Sequence, residues 1–172
     1  MLRIAVCDDE KYYQNYIKRL VLNEFKMRKI CCEVDLFDSG DKFIALGEEI
    51  TKYRIVFLDI NMEGINGIDT VKEIRKRTSE LYVVFVTAFI TYAIEGYKYD
   101  VVRYLLKGND NFEGLLTECI DAVLQKINFQ VEVKEFDFVE GKKSVNLEKI
   151  YYIESNFCLL YTSPSPRDRG WS

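Results

Sequence analysis

Hydrophobic and polar positions in the first two-thirds of the chain follow two alternating rhythms. Short, nearly unbroken apolar runs of the kind that make buried strands fall at Leu2–Cys7, Ile55–Leu58, residues 81–86 and Val101–Leu106. Residues 31–37 alternate as a strand does. Between these runs the spacing becomes helical. Residues 10–29 set Tyr13, Ile17, Leu20, Val21 and Phe25 along one side, and Ser39-Gly40-Asp41 opens a short helix carrying Phe43, Ile44 and Leu46. A loop with Gly64 and Gly67 leads to a helix with Ile68, Val71 and Ile74, and residues 90–97 make another short helix. The clearest stripe is Phe112, Leu115, Leu116, Cys119, Ile120, Val123 and Leu124.

Five strand-then-helix units in succession predict an α/β fold, a parallel sheet with helices on both faces. In such sheets the site lies at the carboxyl ends of the strands. Asp8 and Asp9 end the first strand, Asp59 the third, Thr87 the fourth and Lys107 the fifth, so polar groups from four strand ends, distant in the sequence, converge on one rim. After Asn128 the pattern changes. Strand character at 129–139, a turn at Glu140-Gly141-Lys142-Lys143, and further strands at 144–147 and 150–153 read as a β-rich fragment.

Composition narrows the chemistry. Histidine is absent, which excludes a His general base and His metal ligands and requires any phosphohistidine to come from another protein. The net charge of −4 gives no broad attraction for nucleic acid. Cys7, Cys31, Cys32, Cys119 and Cys158 match neither a CxxC redox motif nor a zinc spacing, and a reducing compartment is the simple reading. The chain turns acidic too early for a signal peptide, and no apolar run reaches the ~18 residues of a membrane span, so a cytoplasmic protein with no membrane partner is expected.

Three carboxylates packed at one rim repel one another and need a cation. Oxygen ligands without His or Cys point to a hard ion, Mg²⁺ above all. Asp59 can attack phosphorus as a carboxylate nucleophile. Lys107 supplies a point charge, and the Thr87 hydroxyl can donate to a phosphoryl oxygen. Each residue alone has a plainer role: Asp59 as a turn residue, Asp8-Asp9-Glu10 and Thr87 as helix caps, Lys107 as a solvated lysine. Their joint placement at successive strand ends favours the chemical reading.

The motifs Val6-Cys7-Asp8-Asp9-Glu10, Phe57-Leu58-Asp59-Ile60-Asn61-Met62 with Gly67, Val86-Thr87-Ala88 and Tyr104-Leu105-Leu106-Lys107 resemble the receiver domain of two-component response regulators. The resemblance implies a flavodoxin-like doubly wound (βα)5 sheet in the order 2-1-3-4-5. It further implies that Asp59 accepts phosphate from a sensor histidine kinase. Mg²⁺ would be bound by Asp8, Asp9, Asp59 and the Asn61 carbonyl; Thr87, Ala88 and Lys107 would meet the phosphoryl group, and Thr87 and Tyr104 would form the switch pair. It also implies a phosphorylation-linked homodimer through the 90–97 and 111–127 helices and the strand between them. Two positions depart from the family pattern: Glu63 and Gly108 stand where proline is usual.

The expected division is a receiver domain at 1–126, a linker at 127–130, and at 131–157 the opening of a domain resembling the LytTR DNA-binding type. The promoter-contacting segments of that domain would be missing, so no DNA-binding residues are assigned. Residues 158–172, beginning Cys158-Leu-Leu-Tyr-Thr-Ser-Pro-Ser-Pro-Arg-Asp168, resemble a translated sequencing adapter rather than native protein. The regulator is not expected to be an enzyme beyond slow autodephosphorylation. The alternatives are an aspartyl-phosphate phosphatase or phosphotransferase, which would need a second Asp where Asn61 stands, and a flavin or nucleotide module, for which the first loop lacks glycines. A receiver-like interaction module working without phosphate is the third.

Overall fold

The computed structural model describes residues 1–89, 91, 93–129, 133–138 and 141–146. Five strands, β1 (Leu2–Cys7), β2 (Cys32–Phe37), β3 (Ile55–Leu58), β4 (Tyr82–Thr87) and β5 (Val101–Leu106), pair in parallel in the order β2-β1-β3-β4-β5. Between and after them run α1 (Lys11–Met27), α2 (Gly40–Ile44), α3 (Gly67–Arg75), α4 (Ala93–Gly96) and α5 (Phe112–Phe129). This is the flavodoxin-like sheet and strand order that the motifs implied.

Successive strand residues point to opposite faces, so the apolar runs feed two cores. Ile4, Val6, Ile55, Phe57, Val84 and Val86 pack with Ile17, Val21 and Phe25 of α1 and with Leu116 and Ile120 of α5. Ala5, Cys7, Val56, Leu58, Val83 and Phe85 pack on the other side with Phe43 of α2 and with Ile68, Val71 and Ile74 of α3. Burial on both faces explains why these strands read as continuous apolar runs rather than alternating ones.

Helix starts follow the side chains available to cap them. The Ser39 hydroxyl accepts from the Lys42 amide and the Asn66 side chain from the Asp69 amide, each satisfying an N–H that has no partner within the helix.

Three expectations shift. The turn expected at 140–143 is strand from Gly141 onward, because β6 (Val133–Phe138) and β7 (Gly141–Asn146) pair antiparallel with Phe138 opposite Gly141. Phe129, read as the start of a strand, instead ends α5, whose apolar stripe carries the helix past Asn128 and into the stretch taken as linker. The helix expected at 90–97 is a short α4 followed by a 3-10 turn at Tyr97–Tyr99, with residues 90 and 92 outside the described residues. The strand expected at 150–153 and the tail at 158–172 also lie outside them.

Candidate functional site

The rim is positioned by the sheet's own ladder. Beyond the last formal strand residues, the Asp8 amide donates to the Phe37 carbonyl (3.0 Å), the Asp59 amide to Cys7 (2.9 Å) and the Lys107 amide to Thr87 (2.8 Å). The residues carrying the chemistry are therefore fixed by sheet hydrogen bonds, not left to loops.

Their side chains meet. Lys107 Nζ lies 2.8 Å from Asp8 Oδ2, 2.9 Å from Asp59 Oδ2 and 3.1 Å from Glu10 Oε1. Asp8, Asp59 and Lys107 are only 1%, 3% and 8% exposed. Removing such charges from water is costly, and it is offset only when each finds partners. Burial pushes Asp8 up to about 6 despite the lowering effect of Lys107. Burial also raises Asp59, opposed by Lys107 and assisted by nearby Asp9. For Lys107 burial favours the neutral amine, yet the carboxylates of Asp8 and Asp59 beside it outweigh that and hold the ammonium above its ordinary value.

The donor set suits a hard cation. Asp8, Asp9, Glu10 and Asp59 can each offer one carboxylate oxygen within 4.8 Å of the others. Asp8 Oδ2, although ion-paired, is buried without a hydrogen bond, leaving a lone pair free for a ligand. Crowded oxygens of this kind fit Mg²⁺, which keeps several waters and takes one or two carboxylates.

Asn61 is exposed in the loop after Asp59, and its amide donates to Asp59 Oδ1 (3.2 Å). Thr87 is buried at the end of β4, and its Oγ1 accepts from the Phe89 amide (3.3 Å). Ala88 beside it is exposed. Tyr104 of β5 meets β4 and α4. Its half-buried ring packs on Phe85, centroids 5.1 Å apart, and its hydroxyl reaches the Gly96 backbone of α4. A methyl group at Gly96 would sit 2.1 Å from that hydroxyl oxygen, so the glycine makes the ring's seat. Gly108, one of the two departures, has φ +77°, a left-handed conformation that proline cannot adopt.

Sequence reasoning assigned no site role to three neighbours. Glu10, read as a cap, pairs with Lys107. The Tyr13 ring lies 4.3 Å from Lys107 Nζ. Buried Gln14 donates to the carbonyls of Asp8 (2.5 Å) and Phe37 (3.3 Å), tying the β1–α1 junction to β2. Gln14 did leave a trace: it is a polar residue in register with the buried Ile17, Val21 and Phe25 stripe.

A five-stranded parallel sheet with a lysine-bridged acidic rim defines a signalling domain of the two-component type. Residues 4–119 match the response regulator receiver domain, and the chain belongs to that family. It is 31% identical over 137 residues to the sensory transduction protein LytT of Bacillus anthracis, covering 78% of this chain and 52% of that protein. It is 28% identical over 145 residues to LytR of Staphylococcus haemolyticus, covering 83% of this chain and 52% of that protein. The chain thus spans about half the length of these relatives. Among solved structures, the response regulatory domain of MrkE from Klebsiella pneumoniae superposes with TM-score 0.65 at 21% identity, covering 75% of this chain and all of that one. The response regulator TrrA of Thermotoga maritima, solved with Mg²⁺ and BeF, superposes with TM-score 0.58 at 28% identity over 72% of this chain and 99% of that one. Among the described residues, no helix is long and apolar enough to cross a membrane.

Proposed function

We propose that this chain is the phosphoacceptor half of a transcription regulator: Asp59 takes a phosphoryl group from the phosphohistidine of a sensor kinase, with Mg²⁺ held by Asp8, Asp9, Asp59 and the Asn61 carbonyl. The carrying observation is the buried Lys107 ammonium seated between Asp8 and Asp59 at the carboxyl end of the sheet. Mg²⁺, when bound, neutralises charge on the transferring phosphoryl oxygens. The chain's own residues do the rest. The Asn61 amide occupies Asp59 Oδ1, while Oδ2, held by the Lys107 ammonium, is the attacking oxygen. The O–P bond forms as the histidine N–P bond breaks, and Lys107 moves with the new charge. Thr87 then gives up its local turn contact to donate to the phosphoryl group, and Tyr104 follows the space it leaves. Ala88 keeps the entrance open by its small size.

The relatives' names support an output of the LytT/LytR kind, and the alignment of 145 residues with LytR runs past the family match at 4–119. On that reading residues 1–126 are the receiver and 127–130 the linker. Residues 131–157 open a LytTR-type domain whose promoter-binding residues lie outside the chain, and residues 158–172 are adapter-derived. Phosphorylation would favour a homodimer through α4, β5 and α5, and the protein would act in the cytoplasm.

The test is to incubate the 172-residue chain with acetyl phosphate and Mg²⁺ and read the intact mass. A phosphoryl adduct that vanishes in Asp59→Asn and without Mg²⁺ supports the reading. A folded, Mg²⁺-binding protein that gains no mass would instead identify an interaction module that works without phosphate.

A further inference from the structure

The loop from β3 to α3 offers its backbone amides to carboxylates at every second residue. Asn61 donates to Asp59 Oδ1 (3.2 Å), Glu63 to Asp9 Oδ2 (3.3 Å) and Ile65 to Asp41 Oδ2 (3.1 Å). The middle bond differs from its neighbours. The Asn61 amide reaches back two residues within its own loop, and the Ile65 amide reaches α2, away from the pocket. The Glu63 amide crosses 54 residues of sequence to an acid of the cation cluster.

Asp9 needs such a bond more than the other acids do. Asp8 is buried and held by the Glu10 amide at 2.8 Å, and Asp59 is buried between Lys107 and the Asn61 amide. Asp9 is exposed, and the bond from Glu63 is the only hydrogen bond to its side chain among the described residues. An exposed carboxylate free to rotate must be ordered when it takes a cation, and that ordering weakens binding. A hydrogen bond on one oxygen orders it beforehand and leaves the other oxygen for the ion.

We propose that the backbone N–H of Glu63 is a positioning group for the divalent-cation site, fixing Asp9 Oδ2 so that the carboxylate stays turned toward Asp8 and Asp59. The role belongs to the main chain, and any residue but proline could supply it. It also gives the Glu63 departure a physical sense, since proline has no N–H to donate. The inference rests on reading the pocket as an Mg²⁺ site, and the experiment separates the two.

The test has a metal-free arm and a metal arm, both on the full chain. Without Mg²⁺, hydrogen exchange at the Glu63 amide should be about tenfold slower in the wild type than in Asp9→Ala, the protection expected of one local hydrogen bond. Equal exchange overturns the proposal whatever the metal does. With Mg²⁺ titrated by calorimetry, Glu63→Pro should bind about three- to tenfold more weakly than the wild type, the scale of one charge-assisted hydrogen bond at an exposed position. Glu63→Gln, which keeps the amide and drops the side-chain charge, should bind at least about threefold more tightly than Glu63→Pro on the same basis. Equal weakening in both variants would assign the effect to the carboxylate and overturn the proposal, as would wild-type affinity in Glu63→Pro. Glu63→Pro made in an Asp9→Ala background should have no further effect, which separates loss of the bond from a general distortion of the loop. A wild type that binds no Mg²⁺ would refute the cation-site reading itself, and the proposal with it, even where the exchange result stands.

Discussion

The two sides of the rim are built differently. On the side of β1, β3 and the end of β5, every charged group is tied down: Asp8 to the Glu10 amide, Asp9 to Glu63, Asp59 to Asn61 and Lys107, and Lys107 to three carboxylates. On the side of β4, α4 and the middle of β5, no ion pair joins the described side chains of Thr87 and Tyr104 to the rim. Thr87 accepts one bond from the Phe89 amide at 3.3 Å, and Tyr104 lies half-buried under a glycine of a helix four residues long. The first side suits positioning of reacting groups, which tolerates little displacement. The second suits a change of packing, because a hydroxyl bond at 3.3 Å and a ring contact can exchange without separating buried charges. Residues of one sheet can thus be divided between chemistry and response by whether buried ion pairs or packing contacts hold them.

The largest expected effect breaks the tight side. Burial holds Asp8 up to about 6, so its ionised form is less favourable in the fold than in the unfolded chain. That penalty is absent below the usual carboxylate range, grows as pH rises, and is complete above about 6. Asp8→Asn should therefore stabilise the Mg²⁺-free protein by about 2 kcal/mol at pH 8 and by almost nothing at pH 4, while abolishing tight Mg²⁺ binding. Urea unfolding in chelator at the two pH values measures it. A destabilised variant at pH 8 would mean that the Lys107 ion pair outweighs the burial cost.

A smaller effect separates the two sides. Gly96→Ala places a methyl group 2.1 Å from the Tyr104 hydroxyl oxygen and close to the Phe85 ring, so the tyrosine must leave its seat. The expected cost is about 1 kcal/mol, the contact between two rings and little more. Mg²⁺ affinity should stay within about twofold, since the atoms a methyl at Gly96 would meet belong to Tyr104 and Phe85 and independent sites add. Denaturation, Tyr104 ring chemical shifts and Mg²⁺ titration check the three parts. A large loss of Mg²⁺ affinity would couple the two sides more tightly than their contacts suggest.

The difference between the sides also explains what could be read from the chain without a structure. Strand ends were legible because buried parallel strands are apolar throughout, so the first polar residue after each run marks the rim: Asp8, Asp59 and Lys107 follow Cys7, Leu58 and Leu106 directly. Side-chain chemistry at those ends was legible for the same reason. Main-chain chemistry was not. The Glu63 amide carries no letter in the sequence, and the position showed only as a missing proline. The Gly96 seat was hidden because it depends on Tyr104, which lies on a different element. The end of α5 was misjudged where Phe129 suits a strand by propensity but continues a helix already formed.

The smallest expected effect sharpens the tight side by asking whether an aromatic ring belongs to it. The Tyr13 ring lies 4.3 Å from Lys107 Nζ and is braced edge-on by Tyr12, with centroids 5.2 Å apart. An ammonium over a partly exposed ring face gains about 0.5–1 kcal/mol beyond packing. Tyr13→Leu should then lower the stability of the Mg²⁺-free protein by about that amount, and Tyr13→Phe, which keeps the ring, by a few tenths at most. A double-mutant cycle with Lys107→Met isolates the term, because the ring has no ammonium to attract once the lysine is gone. If the Leu and Phe variants lose stability equally, or if the loss survives in the Lys107→Met background, Tyr13 is only filling space on α1. A coupling close to the full loss would make the ring a fourth wall around the lysine, holding the ammonium where Asp59 needs it before any cation or phosphoryl group arrives.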